Sequence, residues 1–350
     1  MWKNGTMAEL CEIEYGTRVV KKNVQGDEFP VYGGGGETFR INQKNRTDRL
    51  IVSRFGMSEK CTRFVSGDFF LNDSGLTVSP KFSDLSQSYL DKVILTKNNE
   101  IYSLGRGSAQ KNLNMEGFKE LCFEYPSLAE QQRIVAKLDD TFSEIDESLR
   151  LDRTKESKLD YLKGRLLFTV LNEGTVKWDT VKLGDVCELA YGKGLDKKDR
   201  TSNEGIPAYG ANGIKTFSKK ILFDEPSIII GRKGSAGEIN KVIKPFWALD
   251  VTYYTKIDKD IINLDFLFYT LASLNLPLMA KGVKPGINRN DVYARKIQLP
   301  PLAEQQIIVA KLDSAFAEIK IARNAIKRNQ SNYRTLKSAI LTQELQSEVV

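Results

Sequence analysis

The sequence predicts two mixed α/β (α+β) domains in tandem, each followed by a long helix. The two helices are expected to pair as an antiparallel coiled coil about an approximate internal two-fold. Three observations carry this reading. First, "PSLAEQQRIVAKLDDTFSEI", from Pro126 to Ile145, returns as "PPLAEQQIIVAKLDSAFAEI", from Pro300 to Ile319, with 15 of 20 residues identical at an offset of 174. Second, the repeat reaches back through the segments that precede these stretches. Third, the repeated stretches have helical apolar spacing, whereas the segments between them carry short β-branched runs punctuated by glycine.

The expected divisions are residues 1–125, 126–172, 173–299 and 300–350, a globular module and a helix in each half. In the first module, "MWKNGTMAELCEIEYGT" (1–17) aligns with "KWDTVKLGDVCELAYGK" (177–193), pairing Trp2 with Trp178, Cys11 with Cys187 and Tyr15-Gly16 with Tyr191-Gly192. Further on, "FPVYGG" (29–34) pairs with "IPAYGA" (206–211), "SRFGMS" (53–58) with "GRKGSA" (231–236), and "NLNMEGF" (112–118) with "GINRNDV" (286–292). The equivalent placing of Trp2 and Trp178 favours core anchors over base-stacking residues.

The first helix follows Pro126. Its apolar residues Val135, Leu138, Phe142, Ile145 and Leu149 alternate steps of three and four, the seam of an amphipathic helix. A helix apolar on one stripe must bury that stripe against something, and its duplicate is the obvious partner. Antiparallel packing would bring polar positions near the middle together, with Asp152 opposite Arg323. In the second module, "SIIIG" (227–231) and "DVTYYT" (250–255) read as strands and "LDFLFYTLASL" (264–274) as a helix before Pro277. Phe246-Trp247 reads as core. The second helix starts after Pro300-Pro301 and carries Val309, Leu312, Phe316, Ile319, Ile326, Tyr333 and Ile340 on its stripe.

Length and composition narrow the function. A chain of 350 residues, 41% hydrophobic and 28% charged, suits two or three globular units. It has no apolar run of the roughly 18 residues that span a bilayer, and its N-terminus has no signal-peptide core, so a cytoplasmic location without membrane association is expected. Histidine is absent, which removes the commonest general base and metal ligand. Cys11, Cys61, Cys122 and Cys187 are too scattered for a zinc site and read as isolated thiols. Neither a G-x-x-x-x-G-K-[ST] loop nor a complete G-x-G-x-x-G fingerprint occurs. Glu-x-Lys triplets at Glu156 and Glu318 lie inside the helices and read as solvated faces. No catalytic residue, metal ligand or cofactor is therefore expected.

Charge points towards a polyanion. The net charge is +7, and residues 173–299 hold 20 Lys and Arg against 15 Asp and Glu, whereas residues 1–125 hold 17 against 16. Glycine in the basic loops would let backbone approach a partner closely while lysine and arginine present cations to it.

The twice-repeated "PxLAEQQxIVxKLDxxFxEI", each time after a variable domain, resembles the DNA-specificity subunit of type I restriction-modification systems over the full chain. The resemblance implies that each variable module is a target recognition domain reading one half of a bipartite double-stranded DNA sequence. It also implies that the helices act as a ruler and seat two methyltransferase subunits, with restriction and translocase subunits joining through the complex. In the first module the DNA candidates are Lys44, Arg46, Arg54, Arg106 and Lys111. In the second they are Lys193, Lys197, Lys198, Arg200, Tyr209, Asn212, Lys215, Arg232, Lys233, Gly234, Gly237, Lys281, Lys284, Asn288 and Arg289. The helix entries, Glu130-Gln131-Gln132 and Glu304-Gln305-Gln306, need a shared task because both copies keep them. Partner docking and packing against the preceding loop are the two readings. A stand-alone architectural DNA-binding protein, or a silent reservoir of recognition domains, is the alternative function.

Overall fold

The computed structural model describes residues 2–108, 110–172 and 178–345. The expected module start at residue 173, the first aligned residue of the second copy at 177, and residues 346–350 lie outside these. The chain divides into two compact units, Met1–Asp152 with Arg328–Val350, and Arg153–Lys327. Each unit therefore holds one module together with a segment of both long helices.

In the first unit, strand Lys3–Thr6 pairs antiparallel with Cys122–Tyr125, placing Lys3 opposite Tyr125. Pro126 follows directly; lacking an N–H, it ends the ladder and leads into the helix Leu128–Asn172. A reciprocal cap starts the short helix Met7–Leu10: Thr6 Oγ1 accepts from the Glu9 N–H (3.2 Å), and the Glu9 carboxylate accepts from the Thr6 N–H (2.8 Å). A six-stranded sheet runs in the order Cys11–Tyr15, Gly75–Pro80, Arg46–Ser53, Thr62–Leu71, Phe29–Gly33, Gly36–Ile41. The helix Gln87–Thr96 is capped by Ser86 and buries Tyr89, Leu90, Val93 and Ile94 in one core with Met7, Leu50, Val52 and Phe118. Ile134, Leu138 and Phe142 of the first long helix and Leu341 of the second close that core.

The second unit repeats the connectivity. Asp179–Lys182 pairs with Lys296–Leu299 just before Pro300. Cys187–Tyr191, Thr252–Ile257, Ser227–Gly231 and Ile239–Val242 form one sheet in that order; Arg200–Thr201, Gly213–Ser218, Ile206–Gly210 and Trp247–Ala248 form another. Val31 lies opposite Phe70 in a parallel pair, and so does Ala208 opposite Trp247, each 177 residues on. One strand, Thr62–Leu71, serves both halves of the first sheet. Its counterpart is cut by Pro245, which cannot donate to a ladder, and the sheet separates in two there. The expected strands over "SIIIG" and "DVTYYT" are Ser227–Gly231 and Thr252–Ile257, and the expected helix is Leu264–Ser273. Phe246 is fully buried, and Trp2 and Trp178 pack against their respective cores.

The long helices Leu128–Asn172 and Leu302–Glu344 pack side by side and antiparallel within each unit. In the first, Lys137 meets Glu344 (2.7 Å) and Asp146 meets Lys337 (2.8 Å), so rising numbers on one helix pair with falling numbers on the other. In the second, Asp160 pairs with Arg323, the Lys163 ammonium lies 5.2 Å from the Phe316 ring, and Leu167, Leu171, Ile308 and Leu312 share a core. Two expectations are corrected. The carboxylate partner of Arg323 is Asp160 rather than Asp152, which is itself only 2% exposed. The first buried apolar residues are Ile134 and Ile308, one position before the expected Val135 and Val309, which pack partly buried beside them, because the opening turns face their own module as well as the other helix.

Among the described residues no helix is long and apolar enough to cross a membrane. Cys11, Cys61 and Cys187 are buried free thiols; burial pushes them up to about 12, about 11 and about 12.

Candidate nucleic-acid interface

The repeat builds the same small surface in each module. In the first, Tyr15 ends its strand and Gly16 turns the chain so closely past Asn72 that a Cβ there would sit 2.1 Å from the Asn72 carbonyl oxygen. In the second, Gly192 follows Tyr191, and its Cβ would lie 2.0 Å from the Leu249 carbonyl oxygen. No side chain fits at either glycine, and both tyrosines, 45% and 47% exposed, are left on the surface.

An arginine stands over each ring. The Arg54 guanidinium carbon lies 4.5 Å from the Tyr15 centroid, and that of Arg232 lies 5.4 Å from the Tyr191 centroid. Each such contact is worth about 0.5–1 kcal/mol at an exposed site. The backbone of both arginines is fixed alike. Arg54 N–H donates to Ser74 O (2.8 Å) and Arg54 O accepts from Leu113 N–H (2.8 Å); Arg232 N–H donates to Val251 O (2.8 Å) and Arg232 O accepts from Ile287 N–H (3.0 Å). Behind them pack the hairpin turns: Ser53 Oγ donates to Gly34 O (2.8 Å), and Ala211 abuts Gly231 so closely that a Cβ there would meet the Ala211 methyl at 3.0 Å.

Around this frame the structure gathers some of the expected residues. Arg232, exposed Lys233 and Gly234 share one turn, at the tip of which Gly234 has φ +77 and open space around it. Gly234 N–H donates to Pro285 O (3.2 Å), tying that turn to the loop carrying Lys281 and Lys284. Arg289 reaches the same tyrosine, 4.9 Å from its centroid, and Asn212 lies exposed beside buried Ala211. Lys193 follows Gly192; its carbonyl accepts from the Trp247 indole N–H (2.9 Å). Lys215 is exposed on the same hairpin as Asn212. In the first module Arg54, Arg106 and Lys111 cluster similarly, with the Lys111 ammonium 4.0 Å from the Tyr102 ring.

Other expected residues also have contacts within the chain. Arg46 is held by Glu14 (3.1 Å), Thr77 Oγ1 (3.1 Å) and the Asn45 carbonyl (2.8 Å), with its side chain only 16% exposed. Lys44 pairs with Asp68 (2.6 Å). Tyr209 packs edge-on against Phe246, and burial raises its phenol pKa. Asn288 caps the helix Arg289–Tyr293 through the Asn290 N–H (2.8 Å). Gly237 is a glycine because a Cβ would lie 2.3 Å from Pro277 N, a packing demand within the chain. Lys197, Lys198 and Arg200 flank Asp199, whose carboxyl is held below its ordinary pKa by the hydrogen bond from Lys220.

Tyr15 and Tyr191 are the residues that sequence reasoning passed over, treating them as landmarks of the repeat. A tyrosine before glycine in both copies, matched by an arginine in both "SRFGMS" and "GRKGSA", was the available signal.

The helix entries are equally duplicated. Gln131 and Gln305 are fully buried. Gln131 Nε2 donates to Asp84 O (2.8 Å) and Pro126 O (2.8 Å), while its Oε1 accepts from Ser86 N–H (2.8 Å). Gln305 Nε2 donates to Ile261 O (3.1 Å) and Pro300 O (2.9 Å), and its Oε1 accepts from Asn263 N–H (2.7 Å). Ser86 and Asn263 are the N-caps of the module helices. Each glutamine thus fastens the first turn of a long helix to the cap of its module, so Gln131 and Gln305 are not surfaces for a partner. Glu304 accepts from the Trp178 indole N–H (2.9 Å) and Glu130 pairs with Arg133 (2.6 Å); Gln132 and Gln306 are exposed.

The family model described as the type I restriction modification DNA specificity domain matches residues 1–151 and 175–329. The specificity subunit of the type I restriction enzyme EcoprrI of Escherichia coli is 26% identical over 248 residues, covering 64% of this chain and 61% of that protein. That of StySPI from Salmonella potsdam is 24% identical over 289 residues, covering 72% and 62%. The matches thus span less than two thirds of the length of these relatives. A chain solved in a study of complex assembly and conformational transition of the type I R-M system superposes with a TM-score of 0.77 at 18% identity, covering 99% of this chain and 98% of that one. The HsdS subunit from Thermoanaerobacter tengcongensis gives 0.54 at 18% identity over 99% and 97%. These two likenesses establish a shared fold, and with both halves matched by one family model, the chain belongs to the type I restriction modification DNA specificity domain family.

Proposed function

We propose that this chain is the noncatalytic DNA-specificity subunit of a type I restriction-modification complex, acting in the cytoplasm. Its two modules each read one half of a bipartite target in double-stranded DNA, and it directs two methyltransferase subunits and the restriction subunits to that target. The observation that carries the reading is the arginine–tyrosine surface built twice on the same backbone frame, at Arg54 and Tyr15 and at Arg232 and Tyr191. Arginine held against an aromatic ring is pre-organised and can still present a guanidinium N–H to phosphate or a guanine edge. Lys233, Lys281, Lys284, Lys193, Lys215 and Asn212 supply further contacts in the second module, and Arg106 and Lys111 in the first. Exposed Gln132 and Gln306, with Glu130 and Glu304 beside them, are the candidates for seating a partner.

Co-expression with a methyltransferase subunit of the same family tests this reading. The chain should co-purify with the methyltransferase, and genomic DNA should gain adenine methylation at a two-part motif that is absent without the chain. A methylation pattern identical with and without the chain would refute the reading and leave an architectural or silent role.

A further inference from the structure

Two arginines converge on one exposed tyrosine in the second unit. The guanidinium carbons of Arg232 and Arg289 lie 5.4 Å and 4.9 Å from the Tyr191 centroid, and Tyr253 packs edge-on beneath that ring at 5.1 Å. Arg232 donates to the Asp250 carbonyl (2.8 Å) and Arg289 to the Leu189 carbonyl (3.4 Å), so each side chain is anchored by neutral main chain. Neither forms an ion pair among the described residues, whereas Lys281 on the neighbouring loop pairs with Asp291. The Nε of each arginine is buried with no acceptor. Two like charges held on one ring, neither neutralised by a carboxylate of the chain, make a site built for an anion that the chain does not itself supply.

The class of anion follows from the repeat. Base-reading groups must differ between modules that read different half-sites, whereas backbone contacts can stay the same. Arg232 belongs to the unchanging part: its ring partner, its two main-chain hydrogen bonds and the glycine two residues later all recur at Arg54. A contact common to both modules falls on what both half-sites share, the phosphodiester chain. Arg289 does not recur, but it shares the Tyr191 ring with Arg232 and so faces the same anion; the two copies thus diverge in strength. Met115 aligns with Arg289, and exposed Phe55, 4.6 Å from Arg54, aligns with Lys233. At these three aligned positions the first module has one cation where the second has three.

Resting on the proposed function, we infer that Arg232, Arg289 and Tyr191 form a DNA-phosphate clamp in the second module, of which the first module retains only Arg54 on Tyr15. Duplex binding by the full chain assembled with methyltransferase tests this as a function of salt, on target and non-target DNA. Arg289→Met, which installs the first module's residue, should weaken both duplexes by the same factor and reduce the slope of log K against log salt by about 0.9. Met115→Arg should do the reverse and steepen it by a similar amount, a gain that destabilisation alone would not produce. Arg289→Lys should restore most of the slope. The methylated motif should be unchanged in all three. A loss confined to target DNA, or a changed motif, would make Arg289 a base reader and overturn the clamp. Unchanged affinity and slope in both exchanges would place the phosphates elsewhere. Failure of the parent complex to bind DNA at all would instead remove the functional reading, and the clamp with it.

Discussion

Substituting Gln305 by alanine leaves three main-chain groups without their partner: the carbonyls of Ile261 and Pro300 and the N–H of Asn263. At about 0.5–1.5 kcal/mol per neutral hydrogen bond, the loss comes to about 1.5–4.5 kcal/mol of stability. Gln305→Glu is the more telling change, because its shape is nearly the same. One carboxylate oxygen can still accept from Asn263, but the other faces two carbonyl oxygens where an amide donated. The ionised form is therefore disfavoured in the folded state and the carboxyl pKa rises above its ordinary value. The folded protein takes up a proton before the unfolded chain does. The deficit against the parent should thus be largest at neutral pH and shrink as pH falls through the raised pKa. Urea midpoints for parent, Gln305→Ala and Gln305→Glu at pH 7 and near pH 5 measure this. Glutamate should be worse than alanine at pH 7 and should recover on acidification. A glutamate variant as stable as the parent at pH 7 would refute the clasp.

Asp91 is 7% exposed, and burial raises its carboxyl to about 6 despite a hydrogen bond from Gln87 (2.7 Å). A raised carboxyl contributes most below its unfolded pKa and loses that contribution as pH rises through the folded one. Asp91→Asn should therefore be more stable than the parent above pH 6, by up to about 3 kcal/mol, and the gap should close towards pH 4 in unfolding titrations. Gly237→Ala meets both φ +88 and the Pro277 nitrogen at 2.3 Å, whereas Gly234→Ala at φ +77 meets open space. Gly234→Ala should cost about 1 kcal/mol and Gly237→Ala clearly more, as read from thermal midpoints. Removing seven residues from each long helix keeps the seam in register and shortens each by about 10 Å. If the helices set the spacing, the gap between methylated half-sites should change by about three base pairs while the half-sites stay the same.

Much of this was legible in the residues. The duplication is visible because buried positions and hydrogen-bonding turns resist change; "SIIIG" and the two proline-led helices could be placed from spacing alone. What could not be read depends on contacts between segments distant in sequence. Gln131 and Gln305 look like surface polar residues until the fold brings the N-cap of a helix more than 40 residues upstream against them. Arg46 and Tyr209 sit in loops and strands of the expected composition, yet neighbours across the sheet occupy them. Composition marks a basic loop, but only tertiary pairing tells a free cation from a neutralised one. The arginine pair on Tyr191 emerges the same way, from residues 191, 232 and 289 meeting in one place.

Exchanging residues 177–299 for the corresponding module of another family member is the most direct test that each module reads its own half of the target. The exchanged chain, supplied with the methyltransferase subunit, is followed by sequencing methylated adenines across a genome. One half-site should change to that of the donor while the other half-site and the gap stay as they were. If both half-sites persist unchanged, the modules do not read DNA and the chain serves only to hold its partners together.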